Sequence, residues 1–499
     1  MSTDVRIGGG KDFLVTQLGS QSNRHGLITG ATGTGKTVTL QVLAEGFARV
    51  GVPVFSADVK GDLSGIAASG NPHKEIDRRT GILSLNDYEQ RAYPTLLWDV
   101  FGKHGHPVRT TISEIGPLIL GSLLELNDTQ TGVLYACFAI ADDEGMLLLD
   151  LKDLRSLLSW MGDNAKALRS DYGNISPASL GAIQRRLLVL EEQGAEHFFG
   201  EPALNIQDFM QRDFSGHGVI SLLHSDVLLR ESPKLYAAFL LWLLSELFEE
   251  LPEAGDLEKP KLVLFFDEAH LLFDDMPDSV IDKIEQVVRL IRSKAVGVYF
   301  ITQNASDLPE SVLGQLGLKV AHAVRAFTPK DRKALRAVAD SFRNDDGLNV
   351  SEQLTQLGTG EALVSVLDDD GAPRSVAHTL IAPPESRIGP LSDEERSAIL
   401  DRSPLKGKYE TAVDRESAYE VLSKRAELAA AQAAKATKAE AEAEQARKEQ
   451  RQTPRPRRTS SRSNRQGVGE AFLKSAARSV GRSIGSKLVR GLLGSLLKG

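Results

Sequence analysis

Eight residues near the start of the chain, Gly30-Ala31-Thr32-Gly33-Thr34-Gly35-Lys36-Thr37, constrain the fold more than any other segment. The pattern is Gly, four residues, then Gly-Lys-Thr. An apolar run, Gly26–Thr29, precedes it. The segment Val38–Arg49 follows and reads as a helix, with apolar Val38, Leu40, Val42, Leu43 and Phe47. A strand, a glycine-rich loop and a helix in that order place the unpaired N–H groups of the first helical turn where an anion is favoured. The loop backbone from Gly30 to Thr37, with Val38 behind it, suits the β-phosphate of a nucleotide. Lys36 adds a charge at the β- and γ-phosphates, and the Thr37 hydroxyl takes a place on Mg²⁺. A dinucleotide-binding Gly-x-Gly-x-x-Gly reading fails, because Val38 stands where the third Gly belongs.

A second element lies more than 200 residues downstream. Leu262–Phe266 is an unbroken apolar run that ends in Asp267-Glu268. Such a run reads as a buried parallel strand, and ligands bind at the carboxyl edge of such sheets. Asp267 is expected to hold Mg²⁺ through water, and Glu268 to polarise the attacking water as general base. Gly297–Thr302 repeats the design and ends in Gln303-Asn304. Gln303 is expected to contact the γ-phosphate or orient water. The strand Val52–Asp58 ends in Asp58-Val59-Lys60-Gly61-Asp62, which is either a further edge of the site or a plain strand-to-helix turn.

Strands alternating with helices imply an α/β chain with a mostly parallel, doubly wound sheet. Residues 1–65 hold its first part and 216–390 its second. Between them, 66–215 read as a mainly helical insert, with helical periodicity in Ile115–Leu126, Thr129–Ala141, Leu151–Ser159 and Ser179–Glu192. Ala362–Leu367 and Ser375–Ile381 flank the turn sequence Asp368–Gly371 and read as a β-hairpin. Ala382–Pro390 reads as a strap. Residues 391–452 form a helical extension whose outer half lacks an apolar face. Residues 453–467 form a basic, Pro/Ser-rich, disordered linker. Over 468–499, Leu473, Ala477, Val480, Ile484, Leu488, Leu492 and Leu496 mark a basic amphipathic helix.

Charge divides the chain in two. The net charge is −8, yet from Arg447 onward fourteen Lys/Arg face two Glu, a net of +12 that leaves about −20 on the remainder. A basic tail on an acidic body points to a polyanion: nucleic acid, an anionic membrane surface, or the body itself. The single cysteine, Cys137, sits in an apolar stretch and excludes an internal disulfide. No apolar run approaches the ~20 residues that span a bilayer, and Met1–Arg6 lacks a signal sequence, so a cytoplasmic location is expected.

Together, Arg24–Thr37, Val52–Gly65, Phe266–His270, Arg292–Gln303 and Arg325–Pro329 resemble the HerA-like branch of the HerA/FtsK ATPases, and within it the YjgR-like proteins. The likeness covers roughly residues 5–390. It implies a RecA-like P-loop NTPase that uses ATP with Mg²⁺, often as a homo-oligomeric hexamer pumping DNA. Lys36 and Thr37 would then serve phosphate and metal, Asp267 the Mg²⁺, Glu268 the base and Gln303 the sensor. An arginine acting on a neighbour's γ-phosphate is also implied; Arg325 and Arg374 are the first candidates, Arg292 the next. The HerA N-terminal barrel is expected to be missing, since too few residues precede Gly30. The function expected is Mg-dependent ATP hydrolysis coupled to DNA translocation or unwinding. The alternative is an ATPase that remodels a protein or membrane surface, with the basic tail as tether.

Overall fold

The computed structural model describes residues 3–452 except 256, 275–277, 326–327 and 346. Residues up to 426 form one compact unit. Among the described residues twelve strands make one sheet: β1 (Val5–Gly10), β2 (Phe13–Gln17), β3 (Gly26–Thr29), β4 (Val54–Asp58), β5 (Thr95–Asp99), β6 (His106–Pro107), β7 (Ile220–His224), β8 (Leu262–Phe266), β9 (Val296–Thr302), β10 (Leu318–Ala321), β11 (Glu361–Ser365) and β12 (Ala377–Ile381). Their order is β2-β1-β12-β11-β10-β3-β9-β8-β4-β7-β5-β6. From β10 to β6 all neighbours are parallel; from β2 to β10 all are antiparallel.

Burial on both faces explains the apolar runs. Every residue of β3, β4, β8 and β9 is buried. Successive side chains alternate between two cores: Val54, Val263, Phe265 and Tyr299 join one, and Phe55, Leu264, Phe266 and Phe300 the other. Helices must therefore cover both faces. The phosphate-loop helix α1 (Lys36–Arg49) packs into the first core through Leu40, Leu43 and Phe47. After it come the polar α2 (Lys74–Ile82) and the helical group α3 (Ile112–Leu123), α4 (Asp128–Asp143), α5 (Leu151–Tyr172) and α6 (Pro177–Glu192). Capping boxes at Thr111, Asn127 and Asp150 start α3, α4 and α5. The short α7 (Asp226–Glu231) leads into the Leu-rich α8 (Pro233–Glu250), which lies in the second core. The remaining helices of this unit are α9 (Asp278–Leu290), α10 (Glu310–Leu313), α11 (Pro329–Asp340), α12 (Val350–Gln356) and α13 (Asp393–Asp401).

Several boundaries differ from expectation. Thr95–Asp99, inside the segment read as mainly helical, is a strand that pairs with β7 in the main sheet. The hairpin around Asp368–Gly371 forms, with β11 antiparallel to β12. The last described helix, α14, runs Ala418–Gln452; its part beyond 426 belongs to a separate unit, and residues 427–447 are exposed there. The linker expected over 453–467 and the amphipathic helix expected over 468–499 lie outside the described residues. No described helix is long and apolar enough to cross a membrane.

One buried histidine ties the phosphate-loop strand to its neighbours. His25 precedes β3 with φ +58°. Its Nε2–H donates to the Val288 carbonyl at 2.8 Å, and its Nδ1 accepts from the Val298 N–H at 3.0 Å. Both nitrogens are thus committed to the neutral ring, and burial holds the pKa down at about 4. The unfolded chain, with a pKa of about 6.5, takes up the proton first, so this residue lowers stability as pH falls from 6.5 towards 4. Between pH 7.5 and 5, His25→Gln should lose about 2 kcal/mol less stability than wild type. Urea unfolding at the two pH values measures this, and equal losses would show that His25 carries no proton linkage.

Candidate active site

The parallel register brings the carboxyl ends of β10, β3, β9, β8 and β4 to one edge. Ala321 pairs with Thr29, Thr29 with Thr302, Phe266 with Phe300, and Ala57 with Phe266. The residues that follow these positions, His322, Gly30, Gln303, Asp267 and Asp58, therefore share that edge. Gln303 emerges, exposed, between the phosphate loop and Asp267.

The loop over 30–35 is braced from inside. A Cβ at Gly30, where φ is +148°, would lie 2.6 Å from the His322 Cβ, so only glycine fits. Thr34 Oγ1 donates to the Ala31 carbonyl at 2.7 Å. Ala31 N–H donates to Ala323, and Gly360 N–H to Thr34, both at 2.9 Å. Gly35 starts α1, and no side chain caps that end. The first-turn N–H groups therefore face the loop, as an anion site requires. Lys36 Nζ donates to the carbonyls of Gly30 at 2.6 Å and Ala31 at 3.1 Å. Burial lowers its pKa, Lys60 lowers it further, and Glu268 and Asp267 oppose the shift. Thr32 and Gly33 are exposed at the loop tip, and Thr37 and Val38 are half-buried on the first turn of α1.

Sequence reading passed over His322, which fastens this loop. Its Nδ1–H donates to the Glu361 carbonyl at 2.9 Å, so its Nε2 accepts from the Thr39 hydroxyl at 2.8 Å. Burial keeps the ring neutral, with a pKa lowered to about 4. A polar residue directly after a short apolar strand was the available signal.

Opposite the loop the edge is acidic. Burial, then Glu268, pushes the Asp267 pKa up to about 6. Asp267 Oδ1 accepts the Glu268 N–H at 2.9 Å, and the buried Tyr236 hydroxyl donates to the Asp267 carbonyl at 3.0 Å. Glu268 adopts φ +49°, a left-handed turn that swings its side chain away from the strand direction. Its Oε2 is buried without a hydrogen-bond partner. Lys60 Nζ stands 3.9 Å from Oε1 and His270 Nδ1 3.6 Å from Oε2. Burial, then Asp62, pushes Asp58 up to about 7. Asp58, which sequence left open between a site edge and a plain turn, thus lies beside Asp267 on the edge.

These groups fit a hard dication. Asp58, Asp62, Asp267 and Glu268 crowd one edge, burial with this crowding raises the proton affinity of Asp58 and Asp267, and Asp267 and the Thr37 hydroxyl offer oxygen ligands. Among the described residues no group of three or more His, Cys, Asp or Glu side chains could hold a metal ion. Mg²⁺ keeps several waters and shares its shell with phosphates, so Thr37 and Asp267 would suffice as its protein ligands.

The arginines fall on different edges. Arg325 lies exposed beyond β10, on the edge of the phosphate loop. Because β11 runs antiparallel to β10, its far end, and with it Arg374, lies at the opposite edge. Arg374 N–H donates there to Val366 at 2.8 Å. Arg292 precedes β9 and is also at that opposite edge.

Two substitutions separate binding from chemistry. Lys36→Ala should weaken nucleotide binding by about 30-fold or more, since a charged donor to the phosphates is lost. Glu268→Gln should bind ATP within about threefold of wild type yet turn over about 100-fold more slowly. Equilibrium binding and phosphate release measure both. Turnover by Glu268→Gln within about threefold of wild type would remove that residue from the mechanism.

Residues 8–499 match the family model described as helicase HerA-like C-terminal. Over 117 residues the chain is 31% identical to the probable helicase MJECL08 of Methanocaldococcus jannaschii, covering 23% of this chain and 21% of that protein. The match thus spans about a fifth of the length of this curated relative. Among solved structures, the chain is similar to VirB4 of Thermoanaerobacter pseudethanolicus at a TM-score of 0.48 and 18% identity, over 76% of this chain and 95% of that one. It is also similar to the plasmid coupling protein TrwB in complex with ADP and Mg²⁺, at a TM-score of 0.46 and 18% identity, over 73% and 88% of the two chains. With the family model spanning nearly its whole length, this chain belongs to the helicase HerA-like C-terminal family.

Proposed function

We propose that the protein hydrolyses ATP with Mg²⁺ in the cytoplasm and couples the cycle to movement along, or unwinding of, DNA. The observation that carries the chemistry is Glu268 Oε2, a buried carboxylate oxygen with no hydrogen-bond donor, on the edge that faces the phosphate loop. That oxygen accepts a proton from the attacking water as the water oxygen bonds to the γ-phosphorus, while the bond from that phosphorus to the β–γ bridging oxygen breaks and ADP leaves with its electron pair. Lys36 exchanges the Gly30 and Ala31 carbonyls for phosphate oxygens, and the first-turn N–H groups of α1 hold the β-phosphate. Bound Mg²⁺ would neutralise charge developing on the phosphates, held by Thr37 and Asp267. Gln303, between them, senses the γ-phosphate.

A ring of identical chains, most simply a hexamer, completes each site in trans. At the N-terminal ends of β3 and β9, a cavity of about 440 Å³ gathers Arg24, Arg289, Arg292 and Lys319 with no carboxylate in its lining. Among the described residues Arg24, Arg289 and Arg292 form no ion pair. An unpaired cationic cluster opposite the nucleotide edge supports a role on a neighbour's triphosphate, so Arg292 ranks ahead of Arg325, and Arg374 lies on the same side. Mixing Arg24→Ala Arg292→Ala chains with Lys36→Ala chains should restore ATPase activity that neither shows alone. No recovery, or full ATPase rate from a monomer, would contradict completion in trans.

The second reading, remodelling at a protein or membrane surface, is favoured by the +12 of the tail from Arg447 onward. DNA should raise the ATPase rate of the full chain about tenfold at low salt and lose that effect steeply as salt rises. A chain ending near Gln445 should keep basal ATPase while losing affinity for DNA or for anionic vesicles. Stimulation by anionic vesicles and not by DNA would select the second reading.

A further inference from the structure

The turn after β4 turns one side chain outward. From residue 54 to residue 66, Lys60 is exposed, Asp62 is half-buried and the rest are buried. The backbone beneath Lys60 is braced at several points. Ser225 N–H donates to the Asp58 carbonyl at 3.0 Å, and Leu63 N–H donates to the Asp58 carboxylate at 3.1 Å. The Ser64 hydroxyl donates to the Gly61 carbonyl at 3.3 Å and accepts the Leu391 N–H at 3.0 Å. Gly61 has φ +72°, a conformation that suits glycine, and a Cβ there would lie 3.3 Å from the His224 ring. A lysine is thus carried on a fixed turn at the carboxyl edge.

Its charge is spent on the acidic half of the site. Among the described residues, the carboxylate within 4 Å of Lys60 is that of Glu268, with Nζ 3.9 Å from Oε1. Lys60 also opposes the upward shift of Asp267, ahead of Lys36, and adds to the downward shift of Lys36. Its field therefore reaches both halves of the site.

Glu268 needs such a partner. Its left-handed backbone, at φ +49°, turns the side chain off the line of β8. The carboxylate is 13% exposed, and Oε2 is buried with no hydrogen-bond partner. His270 Nδ1 lies 3.6 Å from Oε2 and Lys60 Nζ 3.9 Å from Oε1, both beyond hydrogen-bond reach. The last torsion of a glutamate side chain is broad, so packing alone leaves the carboxylate plane loosely set. Asp267 and Asp58 add like charge on the same edge. A cation at Oε1 is what holds that oxygen back and leaves Oε2 open.

We infer that Lys60 is a positioning residue for hydrolysis: its ammonium holds Glu268 Oε1, so that Oε2 stays turned towards the attacking water. This rests on the ATP reading above and adds to it a residue from a different strand. The role is one of geometry and charge, because an ion pair as exposed as this one contributes little to stability. A lysine suits it, since a compact ammonium on a flexible stem pairs without a fixed angle.

The test measures kcat, equilibrium ATP binding and thermal unfolding on the full chain with Mg²⁺. Lys60→Met, which keeps the stem and removes the charge, should lower kcat about tenfold while ATP affinity stays within about twofold of wild type. Its Tm should stay within about 2 °C of wild type. Lys60→Arg, which restores the charge, should bring kcat back to within about threefold. In a Glu268→Gln chain, adding Lys60→Met should slow turnover by less than about twofold more, because no carboxylate remains to be held. A kcat for Lys60→Met within about twofold of wild type would overturn the inference. So would the full tenfold loss appearing again in the Glu268→Gln chain, or a loss confined to ATP affinity, which would make Lys60 a phosphate ligand. Slow Glu268→Gln with normal Lys60→Met sinks the positioning role alone. Fast Glu268→Gln sinks the proposed base, and the positioning role with it.

Discussion

Parallel strands buried on both faces confine polar chemistry to the two edges of the sheet, and the acidic half of the site lies where their carboxyl ends emerge together. In this protein β4, β8, β9, β3 and β10 end in register, so Asp58, Asp267, Gln303, Gly30 and His322 arrive at one line. Everything charged at the site follows from that. Carboxylates accumulate faster than the sheet can solvate them, and burial raises Asp58 to about 7 and Asp267 to about 6. Lys36 and Lys60 are the opposing charges within reach, and neither satisfies Glu268 Oε2. The edge thus carries more carboxylate than its lysines offset, the electrostatic setting on which the proposed Mg-ATP site rests.

Helix α1 connects this edge to the rest of the unit. Its first turn presents N–H groups to the loop, Thr39 bonds His322, and Glu45 and Arg49 hold the strap. Phosphates at Lys36 must displace two carbonyl bonds within the loop, and that loop is tied to Ala323 and Gly360. The phosphate loop is thereby fastened to the segments after β10 and before β11. Arg325, beyond β10, sits on one of them, and Arg79 ties α2 to the other.

Local patterns were legible and long-range placement was not. The phosphate loop, the strand ending in Asp267-Glu268 and the β11–β12 hairpin each announce themselves within about a dozen residues, because turn chemistry and apolar runs are local signals. The strand β1 was missed because it ends in Gly8-Gly9-Gly10, which have poor strand propensity. They are there because the neighbouring backbone is close: a Cβ on Gly8 would lie 2.1 Å from the Leu380 carbonyl oxygen. Thr95–Asp99 was hidden by the helical segments around it, and α2 by its polarity. Which edge an arginine occupies depends on strand direction. Arg374 follows an antiparallel strand and Arg325 a parallel one, a distinction that pairing settles and spacing does not.

In the proposed function, the carboxyl edge and the end of α1 form a single site for Mg-ATP. The most direct measurement is a crystal structure of Glu268→Gln grown with Mg²⁺ and ATP. The expected result is the β-phosphate on the first turn of α1, the metal on Thr37 and Asp267, and residue 268 facing the γ-phosphate. A triphosphate bound away from Lys36, or a metal held by other residues, would contradict it.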